Sequence, residues 1–172
     1  DPGRIKRGVA QNVALGPALL EGRQHSIVIE NGWPSAIGGQ DVMRFQQSFT
    51  VSPALRSLPD VELWRIEPPA LSTDAPLVII FDRPFDHQQA RSAITVRDVD
   101  GPRIGGAAVL TDHEQTWRFT PDAPWSTSKV QIVVDTRLED VAGNNFRDLL
   151  DHAFGTDMNV QETITIDVAL GQ

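Results

Sequence analysis

Cysteine is absent from the 172 residues, which excludes disulfide scaffolds, thiolate catalysis and the usual structural zinc sites. Basic charge is scarce too. With 15 Lys and Arg against 23 Asp and Glu the net charge is −8, whereas a nucleic-acid surface would show a basic patch or stripe. The one dense basic run, Arg4-Ile5-Lys6-Arg7, has no aromatics among it and reads as an exposed loop. No apolar run approaches the ~20 residues needed to cross a bilayer, and no long helical period appears. Catalytic signatures are missing as well: there is no Gly-x-Ser-x-Gly elbow, no pair of histidines at helical spacing, and no local frame that would set two carboxylates at a working separation. The expectation is a non-enzyme without a cofactor.

What the chain does have is short β-like runs separated by Pro, Gly, Asp and Asn, the pattern of a sandwich or barrel. Expected strands are His25–Glu30, Phe45–Val51, Glu62–Glu67, Leu77–Phe81, Ala93–Arg97, Ala107–Leu110, Thr116–Thr120, Val130–Asp135 and Thr163–Val168. In Trp117-Arg118-Phe119 the aromatics alternate onto one face, as do Ile164, Ile166 and Val168, and these faces should form the core. Leu77–Phe81 is continuously apolar, so it should be a central strand covered on both sides, or one whose outer face meets a neighbouring domain, and the neighbour is the favoured reading. Asp98-Val99-Asp100-Gly101 and Ala142-Gly143-Asn144 read as tight turns, Ser52–Pro59 as a linker, and Asp148–His152 as a short helical turn.

Residues 18–49 align without a gap on residues 123–154 at a constant offset of 105. Ala18, Ile27, Val28, Gly38 and Phe49 fall on Ala123, Ile132, Val133, Gly143 and Phe154, and Trp33 falls on Leu138. A spacing near one hundred suits tandem domains rather than a solenoid. About 70 residues of strand-like sequence precede the second copy and only 17 precede the first. The expected organisation is therefore 1–52 as the C-terminal half of a first domain and 53–172 as a complete one. Asp1-Pro2-Gly3, with no initiator Met or leader, fits a trimmed chain.

The segment Trp117-Arg118-Phe119-Thr120-Pro121, then Pro124-Trp125, then Val130–Val134 and Leu138-Glu139-Asp140-Val141-Ala142-Gly143-Asn144, resembles the C-terminal half of bacterial immunoglobulin-like domains of the S-layer-protein type. Pro68-Pro69, Pro76–Phe81 and Phe85-Asp86 look similar to its N-terminal half. The resemblance covers roughly residues 60–155, and about 17–50 as a partial second copy. It implies an all-β, immunoglobulin-like antiparallel sandwich with Greek-key connections. It also implies a noncatalytic spacer or adhesive module, exported to the periplasm or cell surface. In the first copy Ser35-Ala36-Ile37-Gly38-Gly39 replaces the acidic turn. A half-domain of two strands is marginal alone, so it should pair with the complete domain, a second copy of the chain or upstream sequence, and a protein partner or self-association is expected.

Trp64 and Trp125 are the best candidates for an interface or for stacking on a glycan. Trp33, matched to Leu138, is expected at a buried or interdomain site. Weak metal candidates are Asp98 and Asp100, whose loop lacks an acid at its twelfth position, Val109, and Glu139 and Asp140, with Asp148 and Asp151 nearby. His25, His87, His113 and His152 sit on different elements and read as surface or turn residues.

Overall fold

The structure, a computed structural model, describes residues 10–16, 18–39, 41–99, 101–150 and 161–171. The strand-like runs become nine strands among the described residues: β1 Gln24–Ile29, β2 Phe45–Thr50, β3 Arg65–Glu67, β4 Leu77–Ile80, β5 Ile94–Asp98, β6 Gly106–Thr111, β7 Thr116–Pro121, β8 Lys129–Asp135 and β9 Thr163–Ala169. Two short helices, α1 Ala10–Leu15 and α2 His87–Ala93, complete the regular elements beside one 3₁₀ turn, Val61–Leu63. The chain divides into two compact units, one over Arg56–Gln172 and one over Ile5–Leu55. The protein is all-β, and the pairings among these nine strands are all antiparallel, with one isolated parallel bridge between Ala70 and Gly171.

In the larger unit the strands form a sheet of order β3-β4-β7-β6 and a second of order β5-β8-β9. Period-2 alternation turns one side of each strand inward. Leu77 and Ile79 of β4 and Trp117 and Phe119 of β7 meet Ile94 and Val96 of β5 and Val130, Ile132 and Val134 of β8 in one core. Each such side chain contributes about 1.5–3 kcal/mol when fully buried. Trp117 and Phe119 stack at 5.7 Å, and the Trp117 indole N–H donates to the Ala90 carbonyl. That bond removes the one polar cost of burying the ring. β4, the continuously apolar run, is flanked by β3 and β7, with Leu77, Val78 and Ile79 all buried.

Three expectations fail locally. The first half of Glu62–Glu67 is the 3₁₀ turn, because the Asp60 carboxylate accepts from the Glu62 amide at 2.9 Å and holds the chain curled. Ala93 ends α2 instead of starting a strand. Asp86 caps that helix by accepting from the amides of Gln88 and Gln89. Asp148–Leu150 hold no helix, and the rest of that expected turn lies outside the described residues.

A buried polar node fastens one end of the sandwich. Asp140 accepts from the amides of Ala142 and Asn144 through Oδ1, and from the Asn144 side-chain amide and Arg83 through Oδ2. Arg83 also donates to Asp82 and to the carbonyl and hydroxyl of Ser57. Gly143 sits in this turn at φ +82°, a conformation costly for other residues. The Asp-x-Ala-Gly-Asn motif is thus a self-satisfied turn.

Candidate functional site

The smaller unit contains a hairpin whose two faces differ in chemistry. β1 and β2 pair in the register Gln24↔Thr50 to Ile29↔Phe45. One face carries Gln24, Ser26, Val28, Gln46, Ser48 and Thr50, with the hydroxyls of Ser26 and Ser48 hydrogen-bonded at 2.8 Å. The other carries His25, Ile27, Ile29, Phe45, Gln47 and Phe49. His25 and Phe49 stack at 5.8 Å, and the buried His25 Nε2 has no hydrogen-bond partner. Glu30 and Arg44 pair at 3.5 Å just beyond the strands. Past them Trp33 and Val42 form an isolated bridge, leading into a turn closed by the Gly38 amide on the Ser35 carbonyl.

The larger unit contains the same device. β1 at the offset of 105 is the start of β8, residue for residue, and the Ser35–Gly38 bond falls on the Asp140–Gly143 bond, with both glycines at positive φ. Beyond that turn the ungapped alignment fails. Gln24 pairs with Thr50, 26 positions on, and Lys129 pairs with Ala169, 40 positions on, so 14 more residues separate the paired positions in β8–β9. Phe49 therefore corresponds to Val168 by register, while Phe154 lies outside the described residues.

The two copies differ in what covers them. Val130, Ile132 and Val134 are fully buried, whereas their equivalents include Ile27 at 55% exposure, and Ile29 and Phe45 are exposed as well. Trp33, expected at a buried or interdomain site through its match to Leu138, is 64% exposed where Leu138 is 1%. Ile37 and Met43 are exposed too. Ile27, Ile29 and Phe45 share one face by register, and apolar exposure grouped on a face marks an interaction surface.

The other expected sites are consumed by the fold. Trp125 is buried: its indole N–H donates to the Ala75 carbonyl at 2.8 Å and its backbone bonds both ways to residues 72 and 73, so it plugs one end of the sandwich. Trp64 is buried among Phe81, Phe85 and Phe146. Neither ring offers a free face for stacking on a sugar, which corrects the expectation placed on them. Asp98 accepts from the Thr127 hydroxyl at 2.8 Å, Asp100 lies outside the described residues, and Asp140 is filled by the N–H donors above. Among the described residues no three His, Asp or Glu side chains gather as a metal site.

An open depression of about 530 Å³ lies beside α2, lined by Gln89, Ser92, Asp135, Arg137 and Glu139. Several of its polar groups are bound to one another. The Gln89 side-chain carbonyl accepts from the Glu139 amide, and Arg137 clamps Asp135. The hydrogen bond from Arg137 holds the Asp135 carboxyl below its ordinary value. These lining residues present no convergent set of donors or acceptors to a ligand.

No protein-family model, curated protein or solved structure matches this chain. The β1–β2 face therefore stands on its own geometry.

Proposed function

We propose that the chain is a noncatalytic structural or protein-interaction module of the spacer or adhesion type, part of an exported or surface-associated bacterial protein. In this reading the larger unit is a complete immunoglobulin-like sandwich and the smaller one is the C-terminal half of another. Strand order supports the first part: β3-β4-β7-β6 over β5-β8-β9 is the A-B-E-D and C-F-G arrangement of a seven-strand constant-type domain. The observation that carries the interaction role is the exposed apolar face of β1–β2, set against the buried face of β8–β9.

The test is solution mass by light scattering across a dilution series, with Ile27→Asp as the comparison. Association at high concentration that Ile27→Asp abolishes supports a protein-binding face. A monomer at every concentration, indifferent to the substitution, counts against it. Carbohydrate binding, the second reading, rests on the exposed indole of Trp33, and a flat tryptophan fluorescence response across a glycan panel would remove it.

A further inference from the structure

β8 is a central strand, with β9 paired on one edge and β5 on the other. β1, whose residues fall on the start of β8 at the offset of 105, pairs with β2 alone among the described strands. The Val51 amide donates to the Arg23 carbonyl at 2.9 Å, as the Leu170 amide donates to Ser128, the equivalent of Arg23, on the β9 side of β8. Alternation along an antiparallel ladder then turns the backbone groups of His25, Ile27 and Ile29 toward β2, and those of Gln24, Ser26 and Val28 to the opposite edge. On β8 that edge, at Gln131 and Val133, is where β5 pairs.

The sequence of β1 does nothing to blunt this edge. Gln24–Ile29 holds no Pro, Lys, Arg, Asp or Glu, the usual guards of an outer strand. Two outer strands of the larger unit are guarded. β3 is three residues long and carries Arg65 and Glu67. The outer edge of β5 is occupied, with the Asp98 amide donating to the Pro102 carbonyl and the Ile104 amide to that of Val96. The same comparison sets β2 apart from β1, because its equivalent by register, β9, ends its sheet.

We propose that the outer edge of β1 pairs antiparallel with β1 of a second copy of this chain, joining two hairpins into one four-stranded sheet. The proposal rests on the protein-interaction reading above and names its partner. A two-fold axis suits this edge, which meets itself reversed with donors facing acceptors. Two registers keep five of the six residues of each strand in the ladder, one centred on Ser26 and one on Ile27. The first sets Val28 against Gln24 and Ile29 against Arg23. The second sets Ile27, 55% exposed, on its own equivalent in a non-hydrogen-bonded pair, where side chains approach closest. It also lets Ser26 and Val28 exchange hydrogen bonds, and places Glu30 opposite Gln24 and Arg23 opposite Asn31, so that no like charges meet. The second register is therefore the one assigned. The apolar faces of both hairpins then lie on one side of the joined sheet.

The cysteine-free chain lets single substitutions report this register through disulfide formation under mild oxidation. Cα atoms lie about 4.5 Å apart in a non-hydrogen-bonded pair and about 5.5 Å apart in a hydrogen-bonded one, and a disulfide spans both. Ile27→Cys should cross-link to itself about tenfold faster than His25→Cys or Ile29→Cys alone, whose own equivalents are displaced by roughly 13 Å along the ladder. Mixing His25→Cys with Ile29→Cys should restore the rate. Mixing Ser26→Cys with Val28→Cys should do the same on the opposite face of the sheet. Ile37→Cys, 95% exposed in the turn, gives the rate of random collision, and light scattering of the unsubstituted chain reads association itself.

Cross-linking at position 27 with none in the Ser26→Cys and Val28→Cys mixture would overturn edge pairing, because stacked apolar faces point those two residues away from each other. Association with equal rates at positions 25, 27 and 29 would overturn it as well. Either result leaves the protein-interaction reading intact. A monomer at every concentration, with position 27 no faster than Ile37→Cys, would overturn both.

Discussion

β1–β2 and β8–β9 are antiparallel strand pairs with common local features. They share a strand, a turn with glycine at positive φ, and an antiparallel return strand. Their inner faces have the same alternation of side chains, yet Ile132 is fully buried and Ile27 is 55% exposed. Strand formation is thus a local property of these sequences, carried by β-branched residues and turn chemistry. Burial is not local. It depends on whether a second sheet lies opposite, and in the larger unit that sheet comes from residues 65–121.

The contrast between the copies can be attacked most forcefully from the covering side. Trp117→Ala should destabilise the larger unit by about 3–5 kcal/mol, read by chemical denaturation, while amide exchange in β1 stays unchanged. Next comes the turn that both copies share. Asp140→Ala removes the acceptor of a buried guanidinium and of two turn amides, and should cost about 3 kcal/mol. Its equivalent Ser35→Ala should stay within roughly 0.5 kcal/mol. Equal costs would mean that the two turns do the same structural job.

Matched core positions give the middle of the range. Ile132→Ala should cost about 2–4 kcal/mol, and Ile27→Ala less than about 1 kcal/mol, with local unfolding of each hairpin followed by hydrogen exchange. Gly143→Ala should cost about 1–2 kcal/mol, since it adds a Cβ 3.1 Å from Leu150 at φ +82°. At Gly38 the added Cβ meets nothing within 4 Å, so only the backbone strain at φ +73° should be felt. The smallest effect lies outside the cores. Asp135 is held below its ordinary value of 3.8 by Arg137, so its contribution to stability is present above that value and lost as pH falls through the lowered one. Arg137→Gln should move the Asp135 titration, followed by NMR, back up toward 3.8.

The strands were legible because alternation in runs such as Ile164-Thr165-Ile166-Asp167-Val168 survives without knowledge of neighbours. α2 was not legible. Its apolar content is Ala90 and Ala93, too small to mark a face, and its strongest signal is the Asp86 cap. The tryptophans misled for a different reason. Trp125 follows a proline at a strand end, which reads as exposed, but its indole is anchored on the Ala75 carbonyl, 50 residues earlier in the chain. Long-range closure of that kind leaves no local trace. The offset of 105 coincides with the structure for β1 against the start of β8 and for the turns at Gly38 and Gly143, and departs from it beyond them, because a loop length is not encoded in strand pattern. The candidate surface was legible as two amphipathic strands in need of cover, and the structure adds which side chains of that face are exposed.

Amide hydrogen exchange of the whole chain in solution, comparing β1 with β8, decides whether cover is what separates the two hairpins. The amides of Val130–Val134 should exchange only with opening of the sandwich, while those of His25–Ile29 should exchange orders of magnitude faster through local opening of an uncovered hairpin. Equal protection of the two strands would contradict this, because β1 would then be as fully covered as β8.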